Sequence, residues 1–119
     1  MTASETTIIR RQFLIVLRLV TRLHNDQAWT PEDEAAVGHH FNRLKAATER
    51  GEVILAGRTD EPLRDTFGIV VFEAADEASA RAFMLADPTV VAGVMTAELH
   101  PYRVAMLRSN PADAGKPGQ

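Results

Sequence analysis

Two short segments of the chain are apolar on both faces of an extended backbone, and this pattern constrains the fold more than any other feature. The first segment, Phe13–Val20, is apolar at every position except Arg18. The second, Phe67–Phe72, carries Phe, Ile and Val side chains on both faces. Strands that are covered on both sides have this composition. Both segments are therefore predicted to be buried strands.

The first helix is predicted from its capping residues, after a polar segment. Thr30 precedes Pro31, and Asp33 supplies an acid at the third helical position, which together favour a helix start. The helix is expected to run to about Arg50 and to end at Gly51. Helical spacing predicts a buried stripe of Val37, Phe41, Leu44 and Thr48.

A second helix is predicted after the second apolar segment. Asp76 is suited to cap it, and Asp87-Pro88 ends it, because a residue before proline is disfavoured in the helical conformation. A short irregular link, Val90–Gly93, is expected to follow. The buried stripe of this helix is predicted to consist of Ala78, Ala82 and Leu85.

Two further strands, Val53–Ala56 and Val94–Leu107, complete the order β-α-β-β-α-β. This order predicts a ferredoxin-like α+β fold, with both helices on one face of an antiparallel four-stranded sheet. The opposite face would expose a large apolar surface on a monomer. A second copy of the chain is the simplest cover, so a homodimer through the sheet faces is predicted.

The length of 119 residues indicates one domain. We expect it to span residues 10–108, after a lead-in at 1–9 and before a tail at 109–119 that is disordered by composition. Arg10-Arg11 superficially resembles an export signal, but Arg18 interrupts the apolar run that follows and no cleavage site is evident. A cytoplasmic protein without a membrane partner is expected, since no apolar stretch is long enough to span a bilayer.

Composition also limits the chemistry. The net charge of −3 and the absence of a Lys/Arg run argue against a nucleic-acid partner. The chain has no cysteine, which excludes thiolate catalysis and cysteine-based metal sites. Zinc-protease, dinucleotide-binding and serine-hydrolase motifs are absent. No metal and no cofactor are predicted.

Two residues are candidates for a site. His40 lies at the border of the predicted stripe of the first helix, where it can face a cleft beside the sheet, whereas the adjacent His39 faces solvent. The alternative for His40 is a boundary histidine that only packs. For Asp87 the alternative is an ordinary Asp-Pro turn that ends a helix. His24, in the polar loop before the first helix, is expected to be solvated.

Three blocks of the sequence have a recognisable pattern and order. They are His40–Lys45, with its histidine followed by Arg-Leu; Gly51–Gly57, a glycine with a short apolar strand and Ala-Gly; and Ala86–Val94, similar to an Asp-Pro-x-x-x-Ala-Gly signature. Together these blocks resemble the YCII family. The resemblance covers about residues 12–108. This sequence departs from the family pattern in a long first loop, Thr21–Pro31, which is expected to rim the pocket. It also has Arg58 at a position where proline is common in the family.

The resemblance implies a dimeric α/β barrel with a pocket that holds a His–Asp pair, and the motif positions assign His40 and Asp87 to it. One branch of the family is a dehydrochlorinase of chlorinated hydroxylated aromatics, which implies cofactor-independent lyase chemistry on a small molecule. A carboxylate beside an imidazole orients its tautomer for proton transfer. Two alternatives stay open: a non-catalytic small-ligand-binding or accessory module, and a cofactor-free monooxygenase-like barrel.

Overall fold

Four strands and three α-helices make up residues 10–108, the part of the chain that the computed structural model describes. The expected lead-in and tail, 1–9 and 109–119, lie outside the described residues. In chain order the elements are β1 (Arg11–Leu19), α1 (Pro31–Glu49), β2 (Val53–Arg58), β3 (Phe67–Ala74), α2 (Glu77–Leu85), α3 (Pro88–Val91) and β4 (Met95–Tyr102). Two 3-10 turns, Thr21–His24 and Asp26–Ala28, join β1 to α1.

The strands form one sheet in the order β2-β3-β1-β4, and every neighbouring pair is antiparallel. Ile15 at the middle of β1 pairs with Val70 of β3 and with Leu99 of β4, so these three side chains share a face. That face packs under α1 and α2 and contains Phe13 and Phe72, both at most 1% exposed. The predicted ferredoxin-like α+β fold is confirmed.

The predicted start of α1 is also confirmed. Thr30 Oγ1 accepts a hydrogen bond from Asp33 N at 3.1 Å, and Asp33 Oδ2 accepts one from Thr30 N at 2.9 Å. Two of the backbone donors at the helix start are thus satisfied by a reciprocal capping box.

The predicted buried stripe of α1 is correct at Leu44 and wrong at Phe41 and Thr48, whereas Val37 is half-buried. Phe41 is 65% exposed, and the buried residues are Asp33, Ala36, Leu44 and Ala47. Ala36 and Ala47 lie one position, a rotation of about 100°, before the predicted Val37 and Thr48. Phe41 is therefore directed toward the space beside the sheet and not into the core. His40 lies on the same inner face, four residues from Ala36 and from Leu44.

The predicted stripe of α2 is wrong as well. Ala80 and Met84 are buried, whereas Ala78 and Ala82 are exposed and Leu85 is 54% exposed. The helix has alanine at three alternate positions, so composition offers little contrast between its faces.

The last strand ends at Tyr102 and not at the predicted Leu107. Its partner strand β1 begins at Arg11, so the sheet has no backbone partner for the residues that follow Tyr102. Val104 N donates instead to the side-chain oxygen Oε1 of Gln12 at 2.7 Å. The expected irregular link before β4 is in part the short helix α3.

The sheet face away from the helices remains open within the described residues. Leu14 and Val16 of β1 and Ile69 of β3 lie on it, and each is half-buried. Polar side chains such as Glu98 and His100 flank them on β4. The apolar character predicted for this face is therefore present at its middle.

Candidate functional site

A cleft of about 990 Å³ lies between α1 and the part of the sheet formed by β2 and β3. Most of the residues that line it are apolar, among them Trp29, Leu44 and Met95. The polar residues in its wall include His40, Lys45 and Arg58. An apolar cleft with a few polar groups is the usual form of a small-molecule site, and its volume is at the upper end of the common range.

The cleft contains His40, which forms a hydrogen bond with Asp87. The distance from His40 Nδ1 to Asp87 Oδ2 is 2.6 Å, although the two residues are 47 positions apart in the sequence. The His40 side chain is 15% exposed and that of Asp87 is 6% exposed. The structure thus brings together the two candidate residues of the sequence analysis.

Asp87 is held in place by the helix that follows it. Its backbone is extended, as in an N-cap, and its Oδ1 accepts hydrogen bonds from Thr89 N at 2.8 Å and from Thr89 Oγ1 at 2.5 Å. Because Oδ1 is occupied by the start of α3, Oδ2 is left for His40. The helix cap therefore fixes the orientation of the carboxylate.

The charge of Asp87 follows from this environment. Burial alone would raise the pKa of the carboxyl, but the hydrogen bonds from His40 and Thr89 outweigh it, so the pKa of Asp87 lies below its ordinary value. Asp87 is then an anion near neutral pH and can only accept hydrogen bonds. We therefore assign the proton of the contact to His40 Nδ1, which in a neutral imidazole leaves Nε2 with a lone pair.

The second ring nitrogen of His40 is available to a ligand. His40 Nε2 forms no hydrogen bond with another of the described residues. It is not a buried atom either, so a molecule in the cleft can reach it. A basic nitrogen of this kind in the wall of an apolar cleft can accept a proton from a bound molecule.

Arg43 joins α1, which carries His40, to α2, which precedes Asp87, and no role is predicted for it from the sequence. Its Nη2 donates to the carbonyl oxygen of Phe83 at 3.0 Å, and its guanidinium carbon lies 4.3 Å from the centre of the Phe83 ring. Arg43 is three residues after His40, and Phe83 is four residues before Asp87. The sequence feature that could have identified Arg43 is its position in the His40–Lys45 block.

The loop between β1 and α1 is tied to the helix start. Arg22 donates from Nη1 and Nη2 to the two carboxylate oxygens of Asp33, each at 2.9 Å, and these hydrogen bonds hold the pKa of Asp33 well below its usual range. Trp29 Nε1 donates to the carbonyl oxygen of Leu23 at 3.1 Å. Since Trp29 lines the cleft, this loop contributes to its wall, as expected.

The other histidines lie apart from the pair. His39 is exposed, as predicted. His24 is half-buried, with Nε2 3.2 Å from the carbonyl oxygen of Leu19, so the expectation that it is simply solvated is wrong. His100 lies on β4, on the open face of the sheet, with its side chain half exposed.

Within residues 10–108, no three His, Asp or Glu side chains are grouped as ligands of a metal ion. None of the helices in that part of the chain is both long and apolar enough to cross a membrane.

A solved structure with a similar fold is the 5-chloro-2-hydroxyhydroquinone dehydrochlorinase TftG from Burkholderia phenoliruptrix AC1100, in complex with 2,5-dihydroxybenzoquinone. The TM-score is 0.53 at 14% sequence identity, over 77% of this chain and 93% of that one. At this identity the similarity shows the fold alone. No curated protein matches the chain at a significant level.

The family model of the YCII-related domain matches residues 16–100. This match includes α1 with His40, the segment with Asp87 and most of the sheet. The chain therefore belongs to the YCII-related family.

Proposed function

We propose that the protein is a cofactor-independent enzyme of the lyase type that acts on a small hydroxylated aromatic compound. The observation that carries this proposal is the 2.6 Å hydrogen bond between His40 and the buried Asp87, beside an apolar cleft of about 990 Å³. His40 is the general base and acid, and Asp87 is the residue that orients it.

The proposed reaction is an elimination. His40 Nε2 accepts a proton from a ring hydroxyl and returns it to the ring carbon that bears the leaving group, so the O–H electron pair becomes part of a C=O bond. The leaving group then departs from that carbon with its bonding electron pair, and a second hydroxyl loses its proton and becomes the other carbonyl of a quinone. Asp87 holds the imidazole in the tautomer that can accept this proton, and it balances the charge of the imidazolium that forms. The apolar wall, with Trp29 and Leu44, suits a flat ring, and the cations Lys45 and Arg58 suit a phenolate or enolate oxygen.

The structural neighbour supports this choice of substrate class. That protein is a dehydrochlorinase of a chlorinated hydroxyhydroquinone, and its structure holds a dihydroxybenzoquinone.

The test is chloride release from chlorinated hydroquinones under anaerobic conditions, with wild type, His40→Gln, Asp87→Asn and the control His39→Gln. Loss of a general acid/base typically costs about 10²–10⁴-fold in rate, so we expect reductions of this size for His40→Gln and Asp87→Asn. His39 is exposed next to the site residue, so His39→Gln should keep the wild-type rate. An unchanged rate in His40→Gln would contradict the proposal.

The same assay distinguishes the alternatives. Saturable binding of 2,5-dihydroxybenzoquinone without turnover of any member of the series would favour a ligand-binding module. The size and apolar wall of the cleft are compatible with that role too. Oxygen consumption with a hydroquinone would instead favour a cofactor-free monooxygenase.

We also propose that the protein is a homodimer in which the open faces of two sheets meet. The support is the position of Leu14, Val16 and Ile69, which lie half-buried at the middle of a face that no helix of the described chain covers. Burial of such a patch against its copy removes apolar surface from water, which favours association.

A further inference from the structure

A second cavity, of about 350 Å³, lies where β1 ends and the chain enters the Thr21–His24 turn. It is separate from the site of His40, although Leu19 and Thr66 line both spaces, so the two are neighbours. Its remaining polar lining consists of Arg18, His24, Arg64 and two further threonines, Thr21 and Thr96. No Asp or Glu side chain of residues 10–108 lines it.

The positive charges in this cavity face no carboxylate of the described chain. Within residues 10–108, neither Arg18 nor Arg64 forms an ion pair. Two guanidinium groups beside one small space repel each other, and an anion between them would offset that repulsion. The guanidinium group also matches the geometry of carboxylate and phosphate oxygens, with which it forms paired hydrogen bonds.

Several of these side chains are already held in position. The Arg18 guanidinium carbon lies 4.8 Å from the centre of the Phe67 ring, a cation–π contact that limits its freedom. His24 Nε2 donates to the carbonyl oxygen of Leu19, which fixes the ring, and in a neutral imidazole Nδ1 then carries the lone pair, so the donors to an anion are the two arginines. Thr66 is buried and donates from Oγ1 to the carbonyl oxygen of Thr59 at 2.7 Å. A site with ordered side chains loses less entropy when it binds a ligand.

We propose that this cavity binds an oxyanion, a carboxylate or phosphate group, through Arg18 and Arg64. The group is either a free small oxyanion or the acid group of a ligand whose remaining part occupies the neighbouring cleft. Arg18 and Thr96 pair at the end of the open sheet face, beyond Leu14 and Val16, so in the proposed dimer the cavity lies at the margin of the interface.

The experiment is a titration of the whole protein with inorganic phosphate and with 2-hydroxybenzoate, followed by the ¹H–¹⁵N NMR signals of the backbone and of the imidazoles. We expect saturable shifts at Thr21, His24 and Thr96. Arg18→Gln and Arg64→Gln each remove charge-assisted hydrogen bonds and should weaken binding about tenfold. The control Arg103→Gln removes the same charge from an exposed position outside the cavity and should leave the affinity unchanged.

The two sources of the anion give different results. Shifts with either probe that stay around His24 indicate a free oxyanion, whereas 2-hydroxybenzoate shifts at both His24 and His40 indicate a ligand that spans the two spaces. The absence of saturable shifts, or an equal loss of affinity in Arg103→Gln, would overturn the proposal. Arg64 lies on a loop outside the core, so its variant serves if Arg18→Gln fails to fold. Phosphate binding does not involve His40, so failure here and failure of the lyase proposal are separate results.

Discussion

At the scale of single residues, Asp87 has two structural roles, one on each carboxylate oxygen. Oδ1 accepts a hydrogen bond from Thr89 N and so caps the start of α3. Oδ2 accepts a hydrogen bond from His40 Nδ1. The helix-terminating turn and the site residue, which are alternatives when the sequence is considered alone, are here properties of the same side chain. A substitution that keeps the cap and removes the charge can therefore separate them.

The lowered pKa of Asp87 predicts how stability depends on pH. A carboxyl whose pKa is lower in the folded than in the unfolded chain stabilises the fold above its unfolded pKa, about 3.9, and this contribution is lost as the pH falls through the folded pKa. Asp87→Asn keeps an acceptor for Thr89 but loses the charged hydrogen bond to His40. We expect it to be about 1–3 kcal/mol less stable than wild type at neutral pH.

Urea unfolding at a series of pH values measures this difference. It should shrink as the pH falls below about 4, because the wild-type carboxyl becomes protonated and resembles the amide. A difference that stays constant to the lowest pH at which the protein folds would mean that the charge of Asp87 contributes nothing to stability.

At the scale of the elements, the sequence predicts where helices begin and end better than which face is buried. Thr30, Pro31 and Asp33 define the start of α1 through local hydrogen bonds, and such signals need only neighbouring residues. The buried face depends on how the helix is rotated against its neighbours, which contacts between distant parts of the chain determine. Ala36 and Ala47 are buried and Phe41 is 65% exposed, so the size of an apolar side chain does not by itself indicate the inner face.

Two glycines, one inside α1 and one just after it, give a matched prediction. At Gly38 an added Cβ would meet no atom within 4 Å, whereas Gly51 follows the helix with φ of +87°. We expect Gly38→Ala to stabilise the protein by about 0.5–1 kcal/mol, because alanine loses less backbone entropy. Gly51→Ala should destabilise it by about 1 kcal/mol or more, since a side chain disfavours that conformation.

Thermal and urea unfolding of the two variants test this pair. The same substitution is made in both, so each variant serves as the control for the other. Stabilisation by both would show that Gly51 does not hold the left-handed conformation. Destabilisation by both would show that Gly38 lies against another part of the protein.

At the scale of the whole molecule, the open sheet face predicts association. Val16 lies in the middle of that face, opposite Glu98 of β4. Val16→Glu places a charge in the apolar patch and beside a like charge, so we expect the dimer to dissociate, with an affinity at least about a hundredfold weaker. Light scattering over a range of protein concentrations measures the mass.

Ala82→Glu is the control for this variant, because Ala82 is exposed on α2, away from the sheet face, and the change in charge is the same. It should remain a dimer. A monomeric wild type, or an unchanged mass for Val16→Glu with a native circular dichroism spectrum, would contradict association through this face.

The candidate site depends on contacts between distant parts of the chain, which limits what the sequence can predict. The family blocks identify His40 and Asp87, but no periodicity relates residues 47 positions apart, and only the packing of α1 against the start of α3 joins them. The oxyanion cavity combines Arg18 from a strand, His24 from a turn and Arg64 from a loop. Each of these is an ordinary polar residue in its own segment, so the sequence alone gives no sign that they meet.

The proposed function depends most directly on Asp87, which must fix His40 with the proton on Nδ1 and the lone pair on Nε2. The most direct test is the ¹⁵N chemical shifts of the His40 imidazole in wild type and in Asp87→Asn, with the imidazole neutral. In the variant the amide oxygen stays on Thr89 and the amide N–H turns toward His40, so we predict a protonated Nδ1 in wild type and a proton moved to Nε2 in Asp87→Asn. The same tautomer in both proteins would contradict the account, because Asp87 would then not determine the state of His40.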